Sequence, residues 1–185
     1  MTITQQLDDL KIRIQKPEFL NVEGLGNEVG IWFFCYEPKQ EMMVRDFTQK
    51  LVYSSNLDCR LIERNLYSVF LEICDEWGIT QEIGEMEKED GKELLLEKIT
   101  SSIGVDEFVN KIYFSPQTCG KDVLLLTGVG DVFPFMRVHT LLQALQPKFP
   151  NIPILVMYPG TFNGTQTRLF NKYKPNPWYR SYNII

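Results

Sequence analysis

The chain has 185 residues, 44% of them hydrophobic and 23% charged, with a formal net charge of −5 at pH 7. That length suits one domain, 1–185, and can bury roughly 70% of the surface its unfolded form exposes, so no disulfide or metal staple is needed. The acidic balance argues against a free-standing nucleic-acid binder, which usually carries a basic face, and no apolar run approaches the roughly 18 residues of a membrane span.

From the amino terminus, Thr4 is placed to cap a helix through about Lys16, with Leu7, Leu10, Ile12 and Ile14 as its apolar positions and Pro17 as its stop. That terminus has no apolar signal core and no small-residue cleavage site, so the expected location is cytoplasmic. A glycine-containing loop over 21–30 leads to IWFFCY, a continuous apolar and aromatic run that suits a central strand covered on both faces. Residues 41–51 form a helix with Met43, Val44, Phe47 and Leu51 on one stripe. Residues 59–62 resume strand character and complete a β-α-β unit. A helix over 65–77 follows, with Leu66, Val69, Phe70 and Ile73 at helical steps and Gly78 as its stop.

Residues 81–112 change character. An acidic run over 85–90 precedes helical patterns over 94–99 and 105–112, as in a helical insertion: a solvated face, or a docking surface for a basic partner. Strand 123–126 then runs into Thr127-Gly128-Val129-Gly130. Pro134 suits the first position of a helix to about Leu145. Strand 153–158 is turned by Pro159-Gly160, a short helix covers 165–173, and the last eight residues are strand-like. Alternating strands and helices imply an α/β fold, a mostly parallel sheet of about five strands with helices on both faces, Rossmann-like or degenerate P-loop-like.

Both glycine turns, at Gly128 and Gly130 and at Pro159 and Gly160, fall at carboxyl ends of strands, where open α/β sheets bind ligands and partners. Phosphate chemistry fits them poorly. A P-loop needs Lys and Ser or Thr after its second glycine, whereas Asp131 stands here with a negative charge. The dinucleotide fingerprint fails because Phe133 occupies the third glycine position. His139 is the single histidine, and nothing in sequence ties a nucleophile or an acid to it. The four cysteines, Cys35, Cys59, Cys74 and Cys119, form no CxxC pair and have no histidine at ligand spacing, which argues against zinc and suits free thiols. No cofactor or metal is expected.

Tyr158, Asn163, Arg168, Tyr173, Trp178, Tyr179 and Arg180 concentrate polar aromatics and cations toward the carboxyl terminus. These types dominate protein–protein hot spots and also form nucleic-acid stacking surfaces. A hydrogen-bonded network at a sheet edge is the plainer reading.

The run from Val123, VLLLTGVGDVFPFMRVHTLL, then Tyr158-Pro159-Gly160-Thr161-Phe162-Asn163-Gly164, Arg168-Leu169-Phe170 and Trp178-Tyr179-Arg180-Ser181-Tyr182, resembles the BrxB family of bacteriophage exclusion (BREX) defence systems. Tyr36-Glu37-Pro38 and Asn65-Leu66-Tyr67 extend the likeness to most of the chain from about residue 30. The family's Tyr-Tyr-Arg is here Trp178-Tyr179-Arg180, which keeps the aromatic bulk. The resemblance implies an accessory component with no assigned catalytic residues. Its neighbours would include a phosphatase-superfamily protein (PglZ), a large ATPase (BrxC) and an adenine-specific DNA methyltransferase (PglX), and any DNA association would be indirect.

The leading expectation is a non-enzymatic adaptor that presents the carboxyl edge of its sheet through Phe133, Arg137, Tyr158, Arg168, Tyr179 and Arg180. The alternative is a nucleotide- or nucleic-acid-binding module on a degenerate phosphate-binding fold, resting on the anion preference of helix amino termini.

Overall fold

The structure, a computed structural model, describes residues 1–22, 30–177 and 181–185. Five strands form a parallel sheet in the order β2-β3-β4-β1-β7: β1 Ile31–Tyr36, β2 Arg60–Asn65, β3 Asp122–Thr127, β4 Ile154–Phe162 and β7 Tyr182–Asn183. Two short antiparallel strands, β5 Gln166–Leu169 and β6 Asn176–Pro177, extend from the far end of β4. Between them run helices α1 Ile3–Arg13, α2 Pro17–Leu20, α3 Glu41–Val52, α4 Leu66–Glu76, α5 Ile83–Ser102, α6 Val105–Ile112, α7 Val129–Val132 and α8 Val138–Leu145. Among the described residues, no helix is long and apolar enough to cross a membrane.

The runs Ile31–Tyr36 and Asp122–Thr127 are strands because their β-branched, leucine and aromatic residues have two faces to bury, and all six positions of β3 are buried. Alternation sorts them. Ile31, Phe33, Leu124, Leu126, Ile154, Val156 and Tyr158 join the cluster filled by α4, α5, α6 and α8. Phe34, Tyr36, Val123, Leu125, Leu155 and Met157 join the cluster filled by α1, α2 and α3. The β1-to-β2 connection passes two strands in one direction over the α3 face. The β2-to-β3 and β3-to-β4 connections return over the other face, as crossovers of a single hand require.

Several local expectations need correction. Thr2, not Thr4, caps α1, in a capping box with Gln5, and Ile12 is exposed. Pro17 does not merely stop that helix: it opens α2. Met43 is exposed, and the buried stripe of α3 is Val44, Thr48 and Leu51. Pro134 does not start the long helix. Phe133 precedes a proline and is driven to an extended backbone (φ −68°, ψ 133°), so α7 closes there and α8 restarts at Val138. Pro159 and Gly160 do not form a turn, because β4 continues through them to Phe162. Residues 165–173 hold β5 rather than a helix. By contrast, Asn65 caps α4 by accepting from the Tyr67 and Ser68 amides at 3.1 Å, and Gly78 ends it at φ +72°.

A part-buried polar contact ties the edge strand β2 to β3. Asp122, fully buried at the start of β3, accepts from Arg60 Nε at 2.8 Å and Nη2 at 2.7 Å on the neighbouring β2, and from the Thr118 amide at 2.8 Å. Burial alone would raise this carboxyl; the Arg60 hydrogen bonds, the Thr118 amide and the nearby cations outweigh it and hold the group below its ordinary value. A depressed folded-state pKa stabilises the fold above the unfolded value of about 4 and ceases to do so as pH falls through the folded value. Asp122→Asn is therefore expected to lower the urea midpoint at pH 7, with the gap to wild type closing as the pH falls below about 4. A gap of equal size at pH 3 and pH 7 would refute the ionic role.

Candidate functional site

The carboxyl edge of the sheet is where β1 ends at Tyr36, β2 at Asn65 and β3 at Thr127, followed by Gly128. Gly128 has φ +68°, and a Cβ there would stand 2.6 Å from the Asn65 side-chain oxygen that caps α4. Both facts require glycine. Gly130 is tight for another reason: a Cβ would meet the Phe170 ring at 2.8 Å. Phe170 comes from the segment that folds back after β5, so this glycine admits the β4–β5 extension over α7.

Two clefts open at this edge. The first, of about 280 Å³, lies on the α3 face. There the Tyr36 hydroxyl donates to Glu41 Oε2 at 2.7 Å, Arg45 Nε donates to Glu41 Oε1 at 2.7 Å, and Arg45 also pairs with Asp131 of α7. Glu63 of β2 accepts from the Thr127 hydroxyl at 2.8 Å. Thr48 lines the same cleft. Asp131 thus sits in an ion pair between α3 and α7.

The second cleft, of about 260 Å³, lies on the α8 face, with Phe133, Arg137 and His139 on one side and Tyr173, Lys174 and Asn176 on the other. Phe133 packs on Tyr173 with ring centres 4.7 Å apart, and Arg168 Nε donates to the Tyr173 carbonyl at 3.2 Å. Tyr158 belongs to the floor: it is 1% exposed, its ring edge-on to Phe33. Burial raises its phenol to about 12, against a hydrogen bond with Thr167. Burial first, and the Arg137 charge second, hold His139 below its ordinary value, so the imidazole is neutral at pH 7.

Of the residues expected at the edge, the structure therefore brings Phe133, Arg137 and Tyr158 into one cleft, with Arg168 at its rim. Arg137 and Arg168 are exposed and Phe133 is partly buried, but Tyr158 is enclosed and offers no open surface. Tyr179 and Arg180 lie outside the described residues. The cysteines are free thiols. Burial raises Cys35 to about 12 and Cys59 to about 11, which keeps both protonated and unreactive. Among the described residues no three His, Cys, Asp or Glu side chains gather as a metal site would require.

Sequence reasoning missed Lys174 and Asn176, and it missed the first cleft altogether. A signal for the latter existed: Glu63 interrupts an apolar strand pattern, and Glu41 and Arg45 are an i,i+4 ion pair.

Comparison with known proteins places this edge in context. A family model described as BREX protein BrxB matches residues 62–184. A protein named BREX protein BrxB from Bacillus cereus (strain H3081.97) is 34% identical, covering 99% of this chain and 97% of its own length. One of the same name from Escherichia coli O9:H4 (strain HS) is 26% identical over 97% of this chain and 90% of its own. No solved structure shows a significant match.

Proposed function

The chain belongs to the BrxB family of BREX phage-defence systems, and from that premise we propose that it is a non-enzymatic adaptor docking onto a larger BREX component. Membership of such a system implies association with its other components. The proposal adds the surface and the kind of contact. The observation that carries it is the second cleft. Exposed Arg137, Tyr173 and Lys174 surround a floor of Val129, Met136, Tyr158 and Leu169, and exposed Arg168 is tied to the Tyr173 carbonyl. Arginine and tyrosine around an apolar floor are the composition of interface hot spots: aromatics supply area at low entropic cost, and guanidinium groups fix register.

The candidate partners are the PglZ- and BrxC-type proteins of the same system, with PglX-type methyltransferases as the indirect route to DNA. Capture of the cognate PglZ or BrxC homologue on the tagged chain is the test. Arg137→Ala combined with Tyr173→Ala is expected to weaken it by about 30-fold or more, as for a hot-spot pair worth at least about 2 kcal/mol. Undiminished capture by the folded double variant would remove this surface from the proposal.

The phosphate-binding alternative finds little support in the geometry. The helix after Gly128 is four residues long, and Asp131 lies within it, so its weak dipole meets a carboxylate where an anion would lie.

A further inference from the structure

The geometry of the first cleft points to a binding site for a cationic amino or guanidino group. The inference goes beyond the adaptor reading and does not depend on it. Arg45 is the one guanidinium in the lining and is committed to Glu41 and Asp131, while a further carboxylate, Glu63, lines the same cleft. The second oxygen of each pair matters. Glu41 uses its own to accept from Tyr36. Glu63 accepts on Oε1 from Thr127, and among the described residues no cation pairs with it. Glu63 shares a strand face with Leu61, two residues before it, which packs on the α3-face cluster, so its carboxylate lies on the α3 side of the sheet and lines the cleft.

Thr48 supplies a second, independent observation. It is 4% exposed and lines the cleft, and its Oγ1 has no hydrogen-bond partner among the described residues. Buried hydroxyls are rarely left unpaired, because the unmade bond costs about 1–3 kcal/mol. A bound group that donates would satisfy both this hydroxyl and the free oxygen of Glu63. Ammonium and guanidinium groups donate and never accept, and both are drawn to a net negative lining that repels phosphate and carboxylate. Tyr36 and Tyr53 in the walls add aromatic surface suited to a cation. A volume of about 280 Å³ is at the small end of ligand pockets and suits a head group on a short alkyl stem better than a nucleotide.

The same chemistry can come from a free amine or from an arginine or lysine side chain of a docked protein. Titration of the labelled full chain with agmatine and with N-acetyl-arginine amide, at constant ionic strength and followed by amide chemical shifts, separates these sources. Saturable shifts are expected at Thr48, Tyr53, Glu63 and Gly128. Glu63→Gln and Thr48→Val, both near-isosteric, are each expected to weaken binding at least tenfold while the rest of the spectrum is unchanged. Tyr53→Ala, at a position 82% exposed, tests the same wall if either core variant folds poorly. Tighter binding of the blocked arginine assigns a partner's side chain, and tighter binding of agmatine assigns a free amine. The inference is overturned if neither probe moves these amides, if the shifts survive all three substitutions, or if succinate, an anion, moves the same amides.

Discussion

Gly160→Ala is expected to cost about 3 kcal/mol, at the upper end of what overpacking does, and to lower the melting temperature by roughly 6–12 °C in a chain of this size. Gly160 faces Leu169 where β5 pairs with β4. A Cβ at this position would lie 2.2 Å from the carbonyl oxygen of Arg168 and 3.0 Å from the Tyr158 ring. The first contact is with backbone, so no side-chain rotation relieves it, and β5 must move as a unit. β5 carries Leu169, in the cleft floor, and Arg168 at its rim, so the variant should also lose partner capture. Gly164→Ala is the control. Its φ of +92° strains any L-residue, but among the described residues nothing lies within 4 Å of the added carbon, so the cost should be near 1 kcal/mol. Thermal melts of the two variants that coincide would show that the β4–β5 approach is not what fixes glycine at 160.

The misreading of Pro159-Gly160 shows where sequence reasoning runs out. Proline followed by glycine ordinarily turns a chain. Here the register removes the penalty. The Ile154 amide donates to Gly30 on the β1 side, so even-numbered amides of β4 face β1 and odd-numbered ones face β3. β3 pairs only as far as Val156. The missing N–H of Pro159 therefore falls past the end of the β3 ladder, at the start of the β5 pairing, where the Pro159 carbonyl still accepts from the Phe170 amide at 2.8 Å. None of this is visible without knowing the neighbour strands. The same limit hid β5: its alternation of buried Thr167 and Leu169 with exposed Gln166 and Arg168 is four residues long, too short to separate a period of two from one of 3.6.

What was legible rests on longer or sharper signals. IWFFCY and the Val123 run can only be doubly covered strands, and Gly78 stops α4 by cap chemistry. Part of the second cleft could be read because Phe133 and Arg137 follow the β3 turn directly. The first cleft could not, since Glu63 and Thr127 meet across 64 positions and face a helix from a third part of the chain. Such a site exists only once the strand order is known.

That strand order also allows the two faces to be separated by experiment. Phe33→Ala is expected to cost about 3–5 kcal/mol in urea unfolding and, under conditions where the variant stays folded, to weaken partner capture. Phe33 is 1% exposed on β1, paired with Val156 of β4 and Asn183 of β7. Its ring stands edge-on to Tyr158 at 5.4 Å and lies 5.4 Å from Phe162. Removing it leaves a void beneath the Tyr158 floor of the second cleft, which then relaxes into the cavity and spoils the surface above. Phe34→Ala is the matched comparison. Phe34 is equally buried one residue along, so its side chain lies in the opposite cluster with α1, α2 and α3. It should cost a similar free energy and leave capture at the second cleft intact, while the amides of the first cleft shift. Equal loss of capture in both variants would mean that capture follows global stability rather than the shape of the α8 face. A cost below about 1 kcal/mol for Phe33→Ala would contradict the packing that places Tyr158 where it is.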